Sequence, residues 1–552
     1  MSDITVYTAA RIITMNPSFP EGRAIAVRNG KILEVGELKR MKPWLETGTY
    51  RVDDSFSEMV ILPGFIDPHL HPSMAAVLLP MHFVTAMEWR LPWEHVTPVR
   101  SYEAFMSKLR ELHERLEPEE PLFVWGYHQH WHGSVQRKAI NTISRKRPII
   151  VWHRSFHEFF LNDGALNWLG LTRDVVGNAS QVDYESGHFF EAGKALAMQR
   201  LNPHILSPER FREGLVRLRE VVHLGGHTTI GDMATGMFDF DMEWAAMKEF
   251  LEGSEVPFRT ECVAIGGQLG QLSENPEEVR AKIDLLPALN THRLNFRRRV
   301  KLFCDGAFFS QLAQMNPPGY ISGRSGEWMM SPEALEAFAR EFWRHNYKIH
   351  VHTTGDLGLE LVLDIVSRLQ SEYPRFDHGF TIEHFGFSNP EQVARMAKLG
   401  MSVSCNAYYL YELSGSYARH GIGYERASQM SRVGSAVRAG LATALHSDFT
   451  MAPANPLNHA WIAANRINVE GEVMAPEERL SVYQALRAIT SHAANILGID
   501  DEVGSLRSGK SADFTILKDD PFAAGAGGLR DMDIVATVFE GAVHELRSSA
   551  FL

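Results

Sequence analysis

Residues Pro63 to His71 read Pro-Gly-Phe-Ile-Asp-Pro-His-Leu-His, an apolar strand that ends on paired histidines. The apolar run Met59-Val60-Ile61-Leu62 stops at Pro63-Gly64, resumes through Phe65-Ile66 and ends on two histidines. In extended backbone the i, i+2 spacing sends His69 and His71 to the same side. Two imidazoles side by side at the C-terminal end of a strand can grip one zinc-like ion. A lone His-x-His is a common strand ending, so its weight comes from what recurs downstream.

Downstream, short apolar runs alternate with helical patterns. The runs begin at Phe123, Ile149, Thr228, Val300, Ile349, Phe380, Met401 and Ala442, and stretches such as Pro332 to His345 and Pro390 to Leu399 carry helical periodicity. Such alternation predicts an α/β fold with a parallel sheet and crossover helices. Polar residues suited to chemistry recur at the C-terminal ends of these runs, as in a (β/α)8 TIM-like barrel.

Lys301 lies inside Val300-Lys301-Leu302-Phe303, where an unpaired ammonium costs several kcal/mol or loses its proton. A salt bridge to Asp305 or Asp356 is one account. The other is a neutral amine that takes up carbon dioxide, giving a carbamate that bridges two cations. In Ile349-His350-Val351-His352 both histidines share a strand face, and position nearer the strand end favours His352. His384 closes Phe380-Thr-Ile-Glu-His, and Asp448 closes Leu445-His-Ser-Asp.

The two ends of the chain look β-rich. Asn29-Gly30 joins two alternating runs, a dipeptide that favours a type I′ hairpin turn. Phe514 to Leu517 and Ile534 to Phe539 read as strands. Neither end buries a good core alone, so residues 1–62 and 499–552 are expected to form one composite β-sandwich around a barrel of residues 63–498. The Trp- and His-rich stretch at about 81–167 exceeds one βα unit and is expected as an insertion near the barrel mouth.

The chain has 552 residues, 45% hydrophobic and 22% charged, with a formal net charge of -12. That charge argues against nucleic acid or an anionic membrane as partner. With no signal-peptide pattern and three scattered cysteines, a cytoplasmic protein acting on a small molecule is expected, with a homodimer as the default assembly.

Together these motifs resemble the metal-dependent amidohydrolase superfamily, more narrowly the amidohydrolase family 3 branch of YtcJ-like proteins and N-substituted formamide deformylases. Pro63 to His71 resembles the first-strand signature, Val300 to Gly306 the lysine strand, His352-Thr-Thr-Gly-Asp356 the fifth strand and Ile382-Glu-His384 the sixth. Ser447-Asp448 with Pro453 resembles the eighth, and Gly504 to Phe514 the returning β-domain. Weaker matches are His157 with Asn162 to Leu166, and Gly187 to Glu191.

This resemblance implies His69, His71 and Asp448 on one metal ion, His352 and His384 on a second, and a carboxylated Lys301 between them. Zinc is the default for nitrogen-rich ligation, and one ion or two is left open. The cation would acidify a water, and Asp448 would take its proton and hand it to the leaving amine. The implied activity is hydrolysis of a C–N bond in an amide, formamide or carbamate-like substrate. Alternatives are a deaminase, lactonase or isomerase on the same centre, or a metal-holding regulatory protein without turnover.

Departures from the branch pattern lie beside the ligands. Phe308-Phe309 replaces small residues, Thr353-Thr354 replaces smaller or apolar ones, and Phe156 stands where glycine is usual. With Trp125, Trp131, His157 and Tyr408-Tyr409 on expected barrel-end loops, an aromatic-walled pocket for an apolar or aryl substrate is expected. A rival metal site is His128-Gln-His130-Trp-His132, if extended; it lacks a carboxylate partner.

Overall fold

The computed structural model describes residues 4–177, 179, 181–190, 193–267 and 275–546. Residues 4–72 with 219–546 form one compact unit, and Ser73–Leu218 a second.

The first unit contains an eight-stranded parallel barrel. Its strands are β1 (Phe65–Leu70), β2 (His227–Thr235), β3 (Arg259–Ile265), β4 (Leu294–Phe303), β5 (Lys348–Thr353), β6 (Thr381–His384), β7 (Ser402–Cys405) and β8 (Thr443–Leu445). Neighbours pair in sequence order. The ends of β8 and β1 approach through Asp448 N–H donating to His69 O (2.9 Å) and His71 N–H donating to Phe449 O (3.1 Å). These bonds close the ring where the expected ligands sit.

Local sequence sets the crossovers. Ser331 caps helix α1 (Pro332–Arg344) by accepting from Ala334 N–H, with proline at its first turn. Asn389 and Gln392 form a capping box on α2 (Pro390–Leu399), and Gly400 ends it at φ +71°. Ile66, Met233, Val263 and Ala444 pack on helix α3 (Ser491–Leu497) through Ala493, Ala494 and Leu497.

Two of the apolar runs, both inside the expected insertion, lie outside the barrel. The runs at Phe123 and Ile149 fall within strands Leu122–Tyr127 and Ile149–His153 of a six-stranded sheet in the second unit. The barrel takes Arg259–Ile265 instead, a segment hidden from an apolar-run search by its charges. Arg259 is buried against Asp513, and Glu261 is buried against Arg299. The second unit, Ser73–Leu218, is longer than the insertion of 81–167, because amphipathic segments without Trp or His clusters, such as Lys194–Ile205, belong to it too.

Strands from both chain ends share one sheet in the first unit. Its order is Ala542–Glu545, Ile534–Phe539, Phe514–Leu517, Val60–Pro63, Ile4–Ile13, Glu21–Arg28 and Lys31–Gly36, with Tyr50–Asp53 pairing off Ile4–Ile13. Tyr7, Ile25, Ile61, Phe514 and Val538 meet in one core, and Tyr7 Oη donates to Gly541 O at 2.8 Å. Asn29 and Gly30 both have positive φ (52° and 71°), as a type I′ turn requires. All three cysteines are buried and free. Among the described residues no helix is long and apolar enough to cross a membrane.

Candidate metal centre

The inward positions at the C-terminal ends of β1, β4, β5, β6 and β8 converge. His69 is fully buried, and Lys301 Nζ lies 3.4 Å from its Nε2. Asp448 Oδ1 lies 3.0 Å from His71 Nε2 and 3.5 Å from His69 Nε2, while Oδ2 is 3.6 Å from His384 Nδ1. Side chains scattered over hundreds of positions therefore share one rim. His352 meets this group edge-on from β5, its ring 4.4 Å from that of His384.

Among the described residues, two sets of three bring one ligand atom each within 4.8 Å of one another: His69, His71 and Asp448, and His69, His384 and His446. The first set is the one expected for one ion. In the second, His446 stands where His352 and Lys301 were expected beside His384. His446 is buried, its Nδ1 lies 2.7 Å from Ser404 Oγ, and its ring is 4.5 Å from that of His69.

Glu383 organises these imidazoles. Its two oxygens accept from His69 Nδ1 (2.6 Å) and His350 Nδ1 (2.7 Å). A carboxylate can only accept, so both rings carry their proton on Nδ1 and present Nε2 as a lone pair. Burial alone would raise the Glu383 pKa, but the His350 hydrogen bond and the Lys301 charge outweigh it and hold the group at about 2. Burial pushes His69 and His384 well below the ordinary imidazole value and His446 to about 3. Burial also lowers Lys301 to about 8, with Glu383 and Asp448 opposing the shift. Asp67 clamps β1 to the end of β8: it accepts from Ser447 N–H and Oγ–H and from His69 N–H.

The backbone at the rim is strained. His384 (φ 74°), Phe385 (φ 48°) and Asp448 (φ 53°) all lie in the left-handed region. Such residues cost of order 1–3 kcal/mol each and persist where the surroundings over-determine them. Here hydrogen bonds do so: Asp448 N–H is bonded to His69 O, and Asn406 N–H donates to His384 O.

A divalent cation fits these residues. Buried His350 Nε2, His384 Nδ1 and His446 Nε2 have no hydrogen-bond partner, a costly state for buried polar atoms unless something takes the lone pair. Neutral imidazoles, an ionised carboxylate and a buried amine form a donor set suited to such an ion.

The family profile described as the amidohydrolase family matches residues 57–544. The chain belongs to the amidohydrolase family. Protein LONG AFTER FAR-RED 3 of Arabidopsis thaliana is 26% identical over 94% of this amidohydrolase and 87% of its own length. Putative amidohydrolase YtcJ of Bacillus subtilis is 22% identical over 96% and 97%, and the N-substituted formamide deformylase of Arthrobacter pascens 22% over 100% and 99%. Among solved structures, an uncharacterized metal-dependent hydrolase of Pyrococcus horikoshii superposes with a TM-score of 0.72 at 21% identity, covering 95% of this chain and 99% of that one. That likeness concerns the fold.

The aromatic candidates divide between the two units. Phe308 is buried, its ring stacked between Tyr409 (4.6 Å) and Tyr417 (4.7 Å). Phe309 meets Tyr409 edge-on at 5.5 Å, and the Tyr409 ring is 6.3 Å from that of His384. Tyr408 packs toward Tyr411 and His459. Trp125 and His157 belong to the second unit, where Trp125 is buried among Phe83, Trp89 and Phe156. Glu191 lies outside the described residues. With both its faces covered, Phe308→Ala is expected to cost about 3–5 kcal/mol in denaturant unfolding. A loss below about 1 kcal/mol would show that the stack contributes little.

The His128–His132 run is not extended. Gln129–His132 forms a single helical turn capped by His128, so alternation does not apply. His132 is engaged through Nε2 with Val99 O (2.8 Å) and through Nδ1 with His128 N–H (3.0 Å). Among the described residues no metal-holding set includes these histidines.

Proposed function

We propose that this amidohydrolase hydrolyses the carbon–nitrogen bond of a linear amide, formamide or carbamate-like substrate with an apolar or aryl substituent, using zinc. The observation that carries the reading is the Asp448 carboxylate set within 3.0–3.6 Å of three inward histidines. The deformylase relative and the amidohydrolase family support a hydrolase acting on such a bond.

Bound there, a zinc ion would supply Lewis acidity, lowering the pKa of water and polarising a carbonyl. His69, His71, His384, His446 and Asp448 would hold it, with His352 and His350 beside them. Asp448 Oδ accepts a proton from the attacking water and returns it to the leaving nitrogen, so that a neutral amine departs. Glu383 fixes the His69 and His350 rings. Lys301, with its lowered pKa, has neutral amine available near pH 7. Its nitrogen can add to carbon dioxide and lose a proton, giving a carbamate. Phe309 and Tyr409 stand as the aromatic wall, Phe308 bracing them, and Tyr408 remains a candidate for substrate contact.

A panel of N-formyl and N-acyl arylamines tests this, assayed with the metal-loaded protein, after chelation and after zinc is restored. The expected result is turnover that chelation abolishes and zinc returns. No turnover of any member by metal-loaded protein would shift the reading to another reaction on the same centre. A metal-holding regulatory role, in line with the Pectobacterium relative named as an exoenzymes regulatory protein, would stand beside that reading.

A further inference from the structure

At the N-terminal end of the barrel strands, opposite His69 and Asp448, opens a concavity of about 440 Å³. Its wall draws on three segments of the first unit: Met15 and Pro17, residues 440–442 leading into β8, and the stretch from Arg487 through α3 to Lys510. Its charges are Arg487, Arg507 and Lys510 against one carboxylate, Asp500. The chain as a whole carries a net charge of -12, so this wall inverts the average sign of the molecule.

These cations are not spent on acids. Lys510 Nζ donates to the Asp500 and Val503 carbonyls and to Ser505 Oγ, all neutral acceptors. The Arg487 guanidinium has Ser491 Oγ at 3.5 Å and the Tyr483 ring at 5.9 Å. Among the described residues neither Arg487 nor Arg507 pairs with a carboxylate, whereas Arg340, Arg368, Arg395 and Arg419 all do. Ser491 and Asn495 add polar groups to the same wall.

We propose that this concavity is a binding site for a small multivalent oxyanion, a phosphate or a polycarboxylate, separate from the catalytic rim. Two planar guanidiniums offer paired N–H donors matched to such oxygens, and the Lys510 charge adds attraction. The volume lies within the roughly 300–1,000 Å³ of small-molecule sites. The occupant would tie the N-terminal segment, the approach to β8 and the 487–510 stretch together, so binding stabilises the fold.

The test is calorimetric titration and thermal unfolding of the full metal-loaded protein with inorganic phosphate, with citrate, and with chloride at matched ionic strength. The variants are Arg507→Gln alone and Arg487→Gln with Arg507→Gln. Saturable binding and a raised Tm are expected with phosphate or citrate but not chloride, weakened about ten-fold or more by each substitution. Response to phosphate alone assigns a phosphate site, and to citrate alone a carboxylate site. The double variant keeps the metal centre, so binding that persists in it reports that centre and overturns the proposal, as does a chloride response of equal size or no binding at all. Arg507→Gln, an exposed change, keeps the test decisive if the double variant does not fold.

Discussion

Asp448→Asn is expected to lower kcat by about 10²–10⁴-fold, the range supplied by a positioned general base, while the fold stays near wild type and metal content falls far less than activity. Asparagine is nearly isosteric and tolerates the left-handed conformation found at φ 53°. The backbone bond from residue 448 N–H to His69 O is untouched. An amide oxygen can still face His71, but it cannot accept and return a proton. Turnover of a panel substrate, with metal content on the same preparation, checks this. Metal loss in step with activity would assign Asp448 to holding the ion alone, and full activity would remove it from the chemistry.

Much of this site was legible in the sequence because the barrel converts a one-dimensional rule into three-dimensional convergence. A polar residue ending an apolar run faces the mouth, so His69, His71, His384 and Asp448 could be found one by one. The same rule, applied evenly, would have found two more. His446 stands two positions before Asp448, the spacing that singled out His69 and His71. Glu383 is an acid inside an apolar run, the anomaly that drew attention to Lys301. What stayed hidden depends on partners far away in sequence. β3 reads as polar until Arg259 meets Asp513 and Glu261 meets Arg299. The Phe123 and Ile149 runs enter the same alternating pattern as the barrel runs because a buried strand looks alike in either sheet. Phe308 looked like a wall residue, since a sequence does not reveal that tyrosines cover both faces of its ring.

Glu383→Gln is expected to weaken divalent-metal binding by about 10–100-fold, the usual cost of losing a ligand's hydrogen-bond partner, and to destabilise the fold by up to about 3 kcal/mol. The carboxylate accepts from two Nδ1–H groups at once. Glutamine has one oxygen and one NH₂, so one imidazole must either lose its bond or move its proton from Nδ1 to Nε2. If that ring is His69, the nitrogen blocked is the one facing Lys301 and Asp448. The acid response should change too. In the folded chain Glu383 ionises at about 2, below its unfolded value. Its stabilisation is therefore present above about pH 4.5 and lost as pH falls toward 2, a contribution the variant lacks. Zinc affinity by competition with a chelator and Tm across the acid range report both effects. Excess zinc should recover part of the lost turnover, since the ligands themselves remain. Wild-type affinity and an unchanged acid profile in the variant would mean that the histidines are held by the barrel backbone, with Glu383 a bystander.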